Sequence, residues 1–318
     1  MIRTPKFWKT VNIISHLLYP FSLLYRFISA LLYKLKSPKK FSTKIICIGN
    51  AIAGGAGKTP STIMLAKELK KQGYKVGIVC KNYKADIKDP IKVTKKHSPP
   101  AIVDEAVLLY KISDTFTSKN ITDAIALADK QEFDFIITDD GLQNNSFHKD
   151  ISILVINGDI GVGNNLCIPA GPLREPIENA ISRSNYVFFI GEDKHHLTKL
   201  IDKEKLISIE QKILAFPKKN TNYIAFTGIA YPDLFFETLE KNGYKILQKV
   251  PFPDHYLYSK DDLDKLLQIS SKNQANLITT EKDYTKIDQS LYCKIEILPI
   301  EFTAQNINPL IYTLKKVK

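Results

Sequence analysis

Gly54, Gly55, Gly57, Lys58 and Thr59 crowd into one short stretch, and glycines followed by a lysine and a hydroxyl are what a phosphate-binding turn requires. Glycine lets backbone N–H groups converge on phosphate oxygens without Cβ clashes. A lysine at this position reaches the β- and γ-phosphates, and the adjacent hydroxyl is placed to ligate Mg²⁺. The segment reads Gly49-Asn50-Ala51-Ile52-Ala53-Gly54-Gly55-Ala56-Gly57-Lys58-Thr59-Pro60. The usual spacing asks for glycine at position 52, where this chain has Ile52. The candidate nucleotide-binding residues are therefore Ile52, Ala53, Gly54, Gly55, Ala56, Gly57, Lys58 and Thr59. Lys58 also serves the transferring phosphoryl group, and Thr59 the metal.

A second cluster is the apolar run Phe135-Ile136-Ile137-Thr138 that ends in Asp139 and Asp140. Proteins with a phosphate loop on a parallel sheet hold Mg²⁺ with such an aspartate, opposite the loop hydroxyl. Successive side chains diverge at a strand end, so both carboxylates need not be ligands. Asp139 is favoured for the metal, with Asp140 a near equal. A third is Pro169-Ala170-Gly171-Pro172-Leu173-Arg174-Glu175-Pro176, where three prolines make a rigid loop that holds Arg174 and Glu175.

The elements that must carry these residues follow from the apolar pattern. Ile45–Ile48 is a short buried strand leading into the glycine turn, and a helix is expected from about Thr59 to Lys71. Val76–Val79, Phe133–Thr138, Ile151–Ile156 and Tyr186–Ile190 read as further strands. Strands alternating with helices predict a parallel sheet with helices on both faces. From Glu192 to Asn222 the chain turns polar and lysine-rich, with Lys194, Lys199, Lys203, Lys205, Lys218 and Lys219, and a domain boundary is placed near its end. Tyr223–Phe226, Leu277–Thr280 and Ile295–Ile300 are expected as strands of a smaller α/β unit, with helices at Pro232–Lys241 and Lys260–Ser270.

The first forty residues differ. Val11 to Tyr25 carries no formal charge, and Ile14, Leu17, Leu18, Phe21, Leu24, Tyr25, Ile28, Leu31, Leu32 and Leu35 follow helical spacing. Arg3, Lys6 and Lys9 precede this stripe, and Lys34, Lys36, Lys39 and Lys40 follow it. A spanning helix needs roughly 20 predominantly apolar residues, but His16, Pro20 and Arg26 interrupt this one. An amphipathic helix in the membrane interface, its lysines on anionic headgroups, is the expectation. The division is then 1–40, a membrane-associated helix; 41–220, a P-loop NTPase-like α/β domain; and 221–318, a smaller α/β domain. The sheet begins at Lys44, so the chain without residues 1–40 is expected to fold.

The four cysteines form no C-x-x-C pair, which disfavours a zinc site or a disulfide framework. The net charge of +12 suits anionic partners, but the lysines are dispersed and no arginine-rich block or RNA-binding motif is present. A nucleic-acid-binding ATPase therefore rests on charge alone. A partitioning-type ATPase switch at a membrane is a stronger alternative, because its loop also reads Gly-Gly-x-Gly-Lys-Thr. That class carries a lysine before the paired glycines, where this chain has Ala53.

Several of these segments together resemble the tetraacyldisaccharide 4′-kinase (lipid A 4′-kinase) family: Gly49–Pro60, Asp139–Gln143, Ile168–Pro176, Phe226–Phe236 (FTGIAYPDLFF), Phe252–Tyr258 (FPDHYLY) and Thr279–Asp283 (TTEKD). They run in family order and span most of the chain. The resemblance implies two α/β domains with the active site between them, and transfer of phosphate from ATP, with Mg²⁺, to the 4′-hydroxyl of a membrane-embedded lipid A disaccharide precursor. That reaction belongs at the cytoplasmic face of a bacterial inner membrane, with no nucleic acid and no obligate protein partner. The resemblance also implies that Asp104, in Val103-Asp104-Glu105, is a catalytic aspartate, that His255 is its partner, and that Gln143 and Glu175 belong to the nucleotide and metal site. A sugar hydroxyl is a weak nucleophile, so a carboxylate that takes its proton is useful, and a paired histidine can orient that carboxylate. Two departures stand out. Asn144 replaces the histidine usual after Gln143, and Cys80-Lys81-Asn82-Tyr83-Lys84 replaces a Ser-Arg-Gly-Tyr-Gly-like stretch, so that Lys81 lacks the bidentate fork of arginine.

Overall fold

A computed structural model of the chain describes residues 5–82, 89–97, 99, 101–218 and 220–317. Arg3, Tyr83, Lys84 and Lys219 lie outside the described residues. The first long element is helix α1 (Ile13–Leu35), capped by the Asn12 side chain, which accepts from Ser15 N at 3.1 Å. The P-loop unit then runs β1 (Lys44–Gly49), α2 (Lys58–Lys71), β2 (Val76–Lys81), β3 (Ile91–Lys92), α3 (Asp104–Tyr110), β4 (Thr115–Ser118), α4 (Ile121–Asp129), β5 (Phe135–Asp139), β6 (Ile151–Asn157), α5 (Ile177–Ser182), β7 (Tyr186–Ile190) and β8 (Leu206–Ile213). The smaller unit follows as β9 (Asn222–Thr227), α6 (Pro232–Lys241), β10 (Lys245–Pro251), α7 (Lys260–Lys272), β11 (Ala275–Thr280), α8 (Glu281–Tyr284) and β12 (Ile295–Leu298). The chain closes with β13 (Ile300–Ala304) and α9 (Asn308–Val317).

Among the described residues the larger sheet has nine strands in the order β13-β8-β7-β6-β1-β5-β2-β4-β3. Only the outer pairs, β13 with β8 and β3 with β4, are antiparallel. The central strands are buried on both faces, which is why they read as unbroken apolar runs rather than as an alternation. One face packs Ile46, Ile48, Ile78, Phe135 and Ile137 against Met64, Leu65 and Leu69 of α2. The other packs Cys47, Val79 and Ile136 against Ile121, Ala124 and Ile125 of α4. Each fully buried leucine contributes about 1.5–3 kcal/mol. The register sets Ile48 of β1 beside Asp139 of β5, so the glycine turn and the acidic strand end emerge at the same edge.

The smaller sheet, β10-β9-β11-β12, is parallel throughout. Phe235, Phe236 and Leu239 of α6 cover one face, and Leu263 and Leu266 of α7 the other.

Two features differ from the sequence reading. Ile295–Ile300 is not one strand. It is divided at Pro299 into β12 of the smaller sheet and β13 of the larger. Proline cannot donate to a sheet ladder, and the chain changes sheets there. Phe302 of β13 and Leu310, Ile311 and Leu314 of α9 join the core of the larger unit, and Ile300 touches both cores, so residues 302–317 pack outside the smaller unit that 221–318 was expected to form. The polar stretch between Glu192 and Asn222 also holds a strand, β8. Only Ile207 and Ile209 of it are buried, too few to stand out in a lysine-rich sequence.

Helix α1 is docked by its polar face. Ser15, Leu18, Ser22, Tyr25, Ser29 and Tyr33 turn inward, while Leu17, Phe27 and Leu35 are 68–70% exposed. Buried Ser22 Oγ donates to Cys167 O at 2.7 Å and accepts from Ala170 N at 3.0 Å. Asn164 Nδ2 donates to Ser15 Oγ at 3.2 Å, and Trp8 Nε1 to Pro169 O at 3.0 Å. The N-terminal segment thus holds the proline-rich loop, and deletion of residues 1–40 would strip that loop of partners. Ser22→Ala removes both bonds and strands the Ala170 N–H, while the Cys167 carbonyl keeps its bond from Gly171 N at 3.0 Å. It is expected to lower stability by about 1–3 kcal/mol, read as a drop in the thermal midpoint in detergent.

Candidate active site

The phosphate loop is stitched to the proline-rich loop by backbone bonds. Ala53 N donates to Pro172 O at 2.8 Å and Arg174 N to Ala51 O at 2.7 Å, with Ile52 bridged to Leu173. This accounts for the isoleucine at position 52: the residue is a buried, strand-like bridge whose side chain packs with Leu173. Gly57 stands at the N-terminus of α2 with φ 90°, and a Cβ there would come within 2.6 Å of the Ile190 side chain. Lys58 Nζ folds back to Asn50 Oδ1 at 3.1 Å and lies 3.5 Å from Asp140 Oδ2.

Thr59 Oγ1 donates to Asp139 Oδ2 at 2.8 Å, and Thr62 Oγ1 to Oδ1 at 3.3 Å. Asp139 is buried, and that burial pushes its carboxyl up to about 6 despite Lys58 and the Thr59 hydrogen bond. Asp140 is treated differently. Burial works to raise it, but Lys58 and Arg174 override that and hold it below the usual carboxylate range. Arg174 grips Asp140 with both guanidinium nitrogens, at 2.9 and 3.3 Å. Thr59 and Asp139 offer hard oxygen donors around an under-compensated buried charge, which fits Mg²⁺. Gln143 Nε2 donates to Asn50 O at 2.9 Å and to Glu175 Oε1 at 2.8 Å, and Arg183 pairs with Glu175. Gln143 and Glu175 thus form one linked pair behind the loop. Neither lines the cavity described below, nor do Ile52, Ala53 and Ala56, whereas Gly54, Gly55, Gly57, Lys58, Thr59, Asp139 and Asp140 do.

That cavity, about 760 Å³, lies between the two sheets, and its far wall carries Asp104, Glu105, His255, Lys282 and Lys286. Asp104 begins α3, after Val103 at the cap position. His255 comes from the smaller unit with φ 56°, its backbone N bonded to Gly228 O at 3.0 Å. His255 Nδ1 meets Asp104 Oδ1 at 3.1 Å. Asp104 Oδ2 is buried and accepts no hydrogen bond among the described residues. Burial acts to raise the Asp104 carboxyl, yet the His255 hydrogen bond and the Lys282 charge drive it far below the ordinary range. Asp104, Glu105 and His255 are close enough to resemble a metal trio, but the Lys282 ammonium already sits on Glu105 Oε1 at 2.7 Å and near His255 Nε2 at 3.4 Å.

Sequence reasoning gave no role to Lys282 or Lys286, and marked Arg174 only as a charge held on the rigid proline loop. Lys282 falls in the Thr279–Asp283 segment that carried the family resemblance. Nothing local marks Lys286, which is recognisable only from what it faces. Lys81 lines the cavity as a single cation at the end of β2.

Because Asp139 titrates near 6 when folded and near 3.8 when unfolded, its protonated form contributes stability that is full below 3.8 and lost as pH rises through 6. In metal-free protein, Asp139→Asn is therefore expected to be more stable than wild type at pH 8 by about 1–3 kcal/mol, with the gap closing towards pH 4. Denaturant melts at several pH values measure this, and a pH-independent gap would contradict it.

Comparison with known proteins points to one family. The chain is 38% identical over 309 residues to tetraacyldisaccharide 4′-kinase of Rickettsia canadensis, covering 96% of this chain and 94% of that protein. It is 39% identical over 288 residues to the enzyme of that name from Rickettsia bellii, covering 90% of each. A crystal structure of LpxK from Aquifex aeolicus in complex with ATP superposes with a TM-score of 0.78 at 25% identity, covering 96% of this chain and 99% of that one. With the family model for tetraacyldisaccharide-1-P 4′-kinase matching residues 14–316, the chain belongs to that family.

Proposed function

We propose that this protein phosphorylates the 4′-hydroxyl of a tetraacyldisaccharide 1-phosphate in lipid A synthesis, with ATP as donor. The observation that carries the reading is the single cavity with a phosphate loop on one wall and the Asp104–His255 pair on the other. The ATP-bound relative supports nucleotide binding at the loop. Lys58, Gly54, Gly55 and Gly57 hold the phosphates. A Mg²⁺ held by Thr59 and Asp139 supplies neutralisation of phosphate charge.

On the acceptor side, the Asp104 carboxylate takes the proton of the sugar hydroxyl as the hydroxyl oxygen bonds to the γ-phosphorus and the bond to ADP breaks. His255 Nδ1 meets Oδ1, so the carboxylate keeps one orientation. Ordering the acceptor against a fixed carboxylate is worth more here than raising its basicity, because phosphoryl transfer is governed by positioning and charge.

The lipid substrate makes sense of α1. By length and composition this helix is apolar enough to cross a membrane, and its polar inner face leaves the apolar face outward. We read it as lying in the interface at the cytoplasmic face of an inner membrane, with Lys34, Lys36, Lys39 and Lys40 on headgroups.

Incubation with ATP, Mg²⁺ and tetraacyldisaccharide 1-phosphate in detergent should yield a bis-phosphorylated lipid by mass spectrometry. Lys58→Ala should cut turnover by about 10²-fold or more, and near-normal turnover would sink the nucleotide-site assignment. Asp104→Ala should cut turnover strongly while ATP affinity holds. His255→Ala should do so less, and the double variant should lose less than the sum, as for residues that act as a unit. Glutamates at Leu17, Phe21 and Leu24 should release the protein from anionic vesicles in co-sedimentation, and unchanged pelleting would contradict the interfacial reading.

A further inference from the structure

Three segments of the smaller unit converge beneath Asp104 on one buried carboxylate, that of Asp283. Its Oδ2 accepts from Thr227 Oγ1 at 2.6 Å, from Gly228 N at 3.0 Å and from Thr280 Oγ1 at 2.8 Å. Its Oδ1 faces Lys286 Nζ at 2.6 Å. The Lys286 side chain is 1% exposed. The Tyr258 ring lies 5.6 Å from its ammonium, and Asp104 Oδ2 lies across the domain boundary at 3.7 Å. Gly228 ties the two arms together: its N–H bonds Asp283 and its carbonyl accepts from His255 N. A closed circuit results, running from Asp283 through Gly228 and His255 to one oxygen of Asp104, and from Asp283 through Lys286 to the other.

We propose that Lys286, fixed by Asp283, is a positioning residue that keeps the buried Asp104 carboxylate ionised without itself forming a hydrogen bond to it. The inference rests on the reading of Asp104 as the base. A separation of 3.7 Å is too long for a hydrogen bond, so the ammonium supplies charge without occupying the oxygen's lone pairs. A lysine in bonding contact would compete with the sugar hydroxyl. No charge at all would let burial protonate the base. Lys282 adds its charge to Asp104 from 3.9 Å while its ammonium bonds Glu105 at 2.7 Å, and Lys286, at 3.7 Å, is the second cation on the same oxygen. The charged and titratable groups around Asp104 are Glu105 on its own helix, Asp254, His255 and Tyr258 from the segment after β10, and Lys282, Asp283 and Lys286 from α8 and the turn beyond it. The carboxylates outnumber the lysines, so loss of one lysine is felt directly at Asp104.

The test is the pH profile of kcat with ATP and the lipid acceptor in detergent. Lys286→Met should lower kcat about tenfold or more near neutrality, leave the KM for ATP within about twofold, and move the acid limb to higher pH, since removal of a cation raises the Asp104 pKa. Lys286→Arg should keep the limb near its wild-type position. Asp283→Asn removes an anion from the same circuit and should move the limb the other way, to lower pH. If Lys286→Met does not fold, the unmoved limb expected of Lys286→Arg and the downward shift expected of Asp283→Asn carry the test. A limb that stays in place in folded Lys286→Met, or one that moves to higher pH in Asp283→Asn, overturns the proposal. If Asp104→Ala abolishes turnover while Lys286→Met leaves the limb unmoved, only this inference fails; if Asp104→Ala turns over normally, the reading beneath it fails.

Discussion

A site that transfers a phosphoryl group must hold several negative charges out of water and still keep each carboxylate in the protonation state its task needs. That constraint organises the cleft of this protein. Asp140 is held ionised by Lys58 and Arg174. Asp104 is held ionised by His255 and Lys282 of the other unit. Asp139 is left short of positive charge, and its carboxyl rises to about 6. That carboxylate lies where Thr59 shares it and where a hard divalent cation fits. Destabilisation at a place where a ligand would relieve it is a trade between stability and function.

The same logic extends outward to α1. A helix whose inner face is serine and tyrosine and whose outer face is leucine and phenylalanine is inverted relative to a helix on a water-soluble surface. Hydrogen bonds at Ser15 and Ser22 tether it to residues 164–170, which lead directly into Arg174 and the bridge to the phosphate loop. At its other end Tyr33 stacks on Arg183, the partner of Glu175. The apolar surface and the nucleotide site are therefore parts of one packed assembly, with the proline-rich loop between them.

What could be read from the sequence follows from which interactions are local. The phosphate loop, the central strands and the outward apolar stripe of α1 are legible because glycine spacing, apolar runs and helical periodicity are short-range signals. β8 and the Pro299 crossing are not, because only two residues of β8 are buried and because Ile295–Ile300 looks like one strand whichever sheet it joins. In the site, Lys58, Thr59 and Asp139 carry their own context. Asp104 and His255 gain meaning only from family resemblance, since a lone aspartate before an apolar helix is more often a cap. Lys286 is invisible at both levels, for its role lies wholly in a long-range circuit through Asp283 and Gly228.

The return of the chain to the larger sheet bears on how that circuit works. The two units are joined twice, through residues 214–221 and through Pro299, and the crossings are bonded to one another by Leu214 N to Pro299 O at 3.0 Å. A single linker permits twisting and sliding as well as hinging, whereas two crossings fastened side by side leave rotation about their common line as the soft motion. Held by two crossings, the smaller unit sets His255 and Lys286 against Asp104 at 3.1 and 3.7 Å. Alignment of a carboxylate with a weak nucleophile within a fraction of an ångström requires such constraint. The terminal strand and helix, which sequence alone would leave in the smaller unit, therefore help to fix how the two units meet.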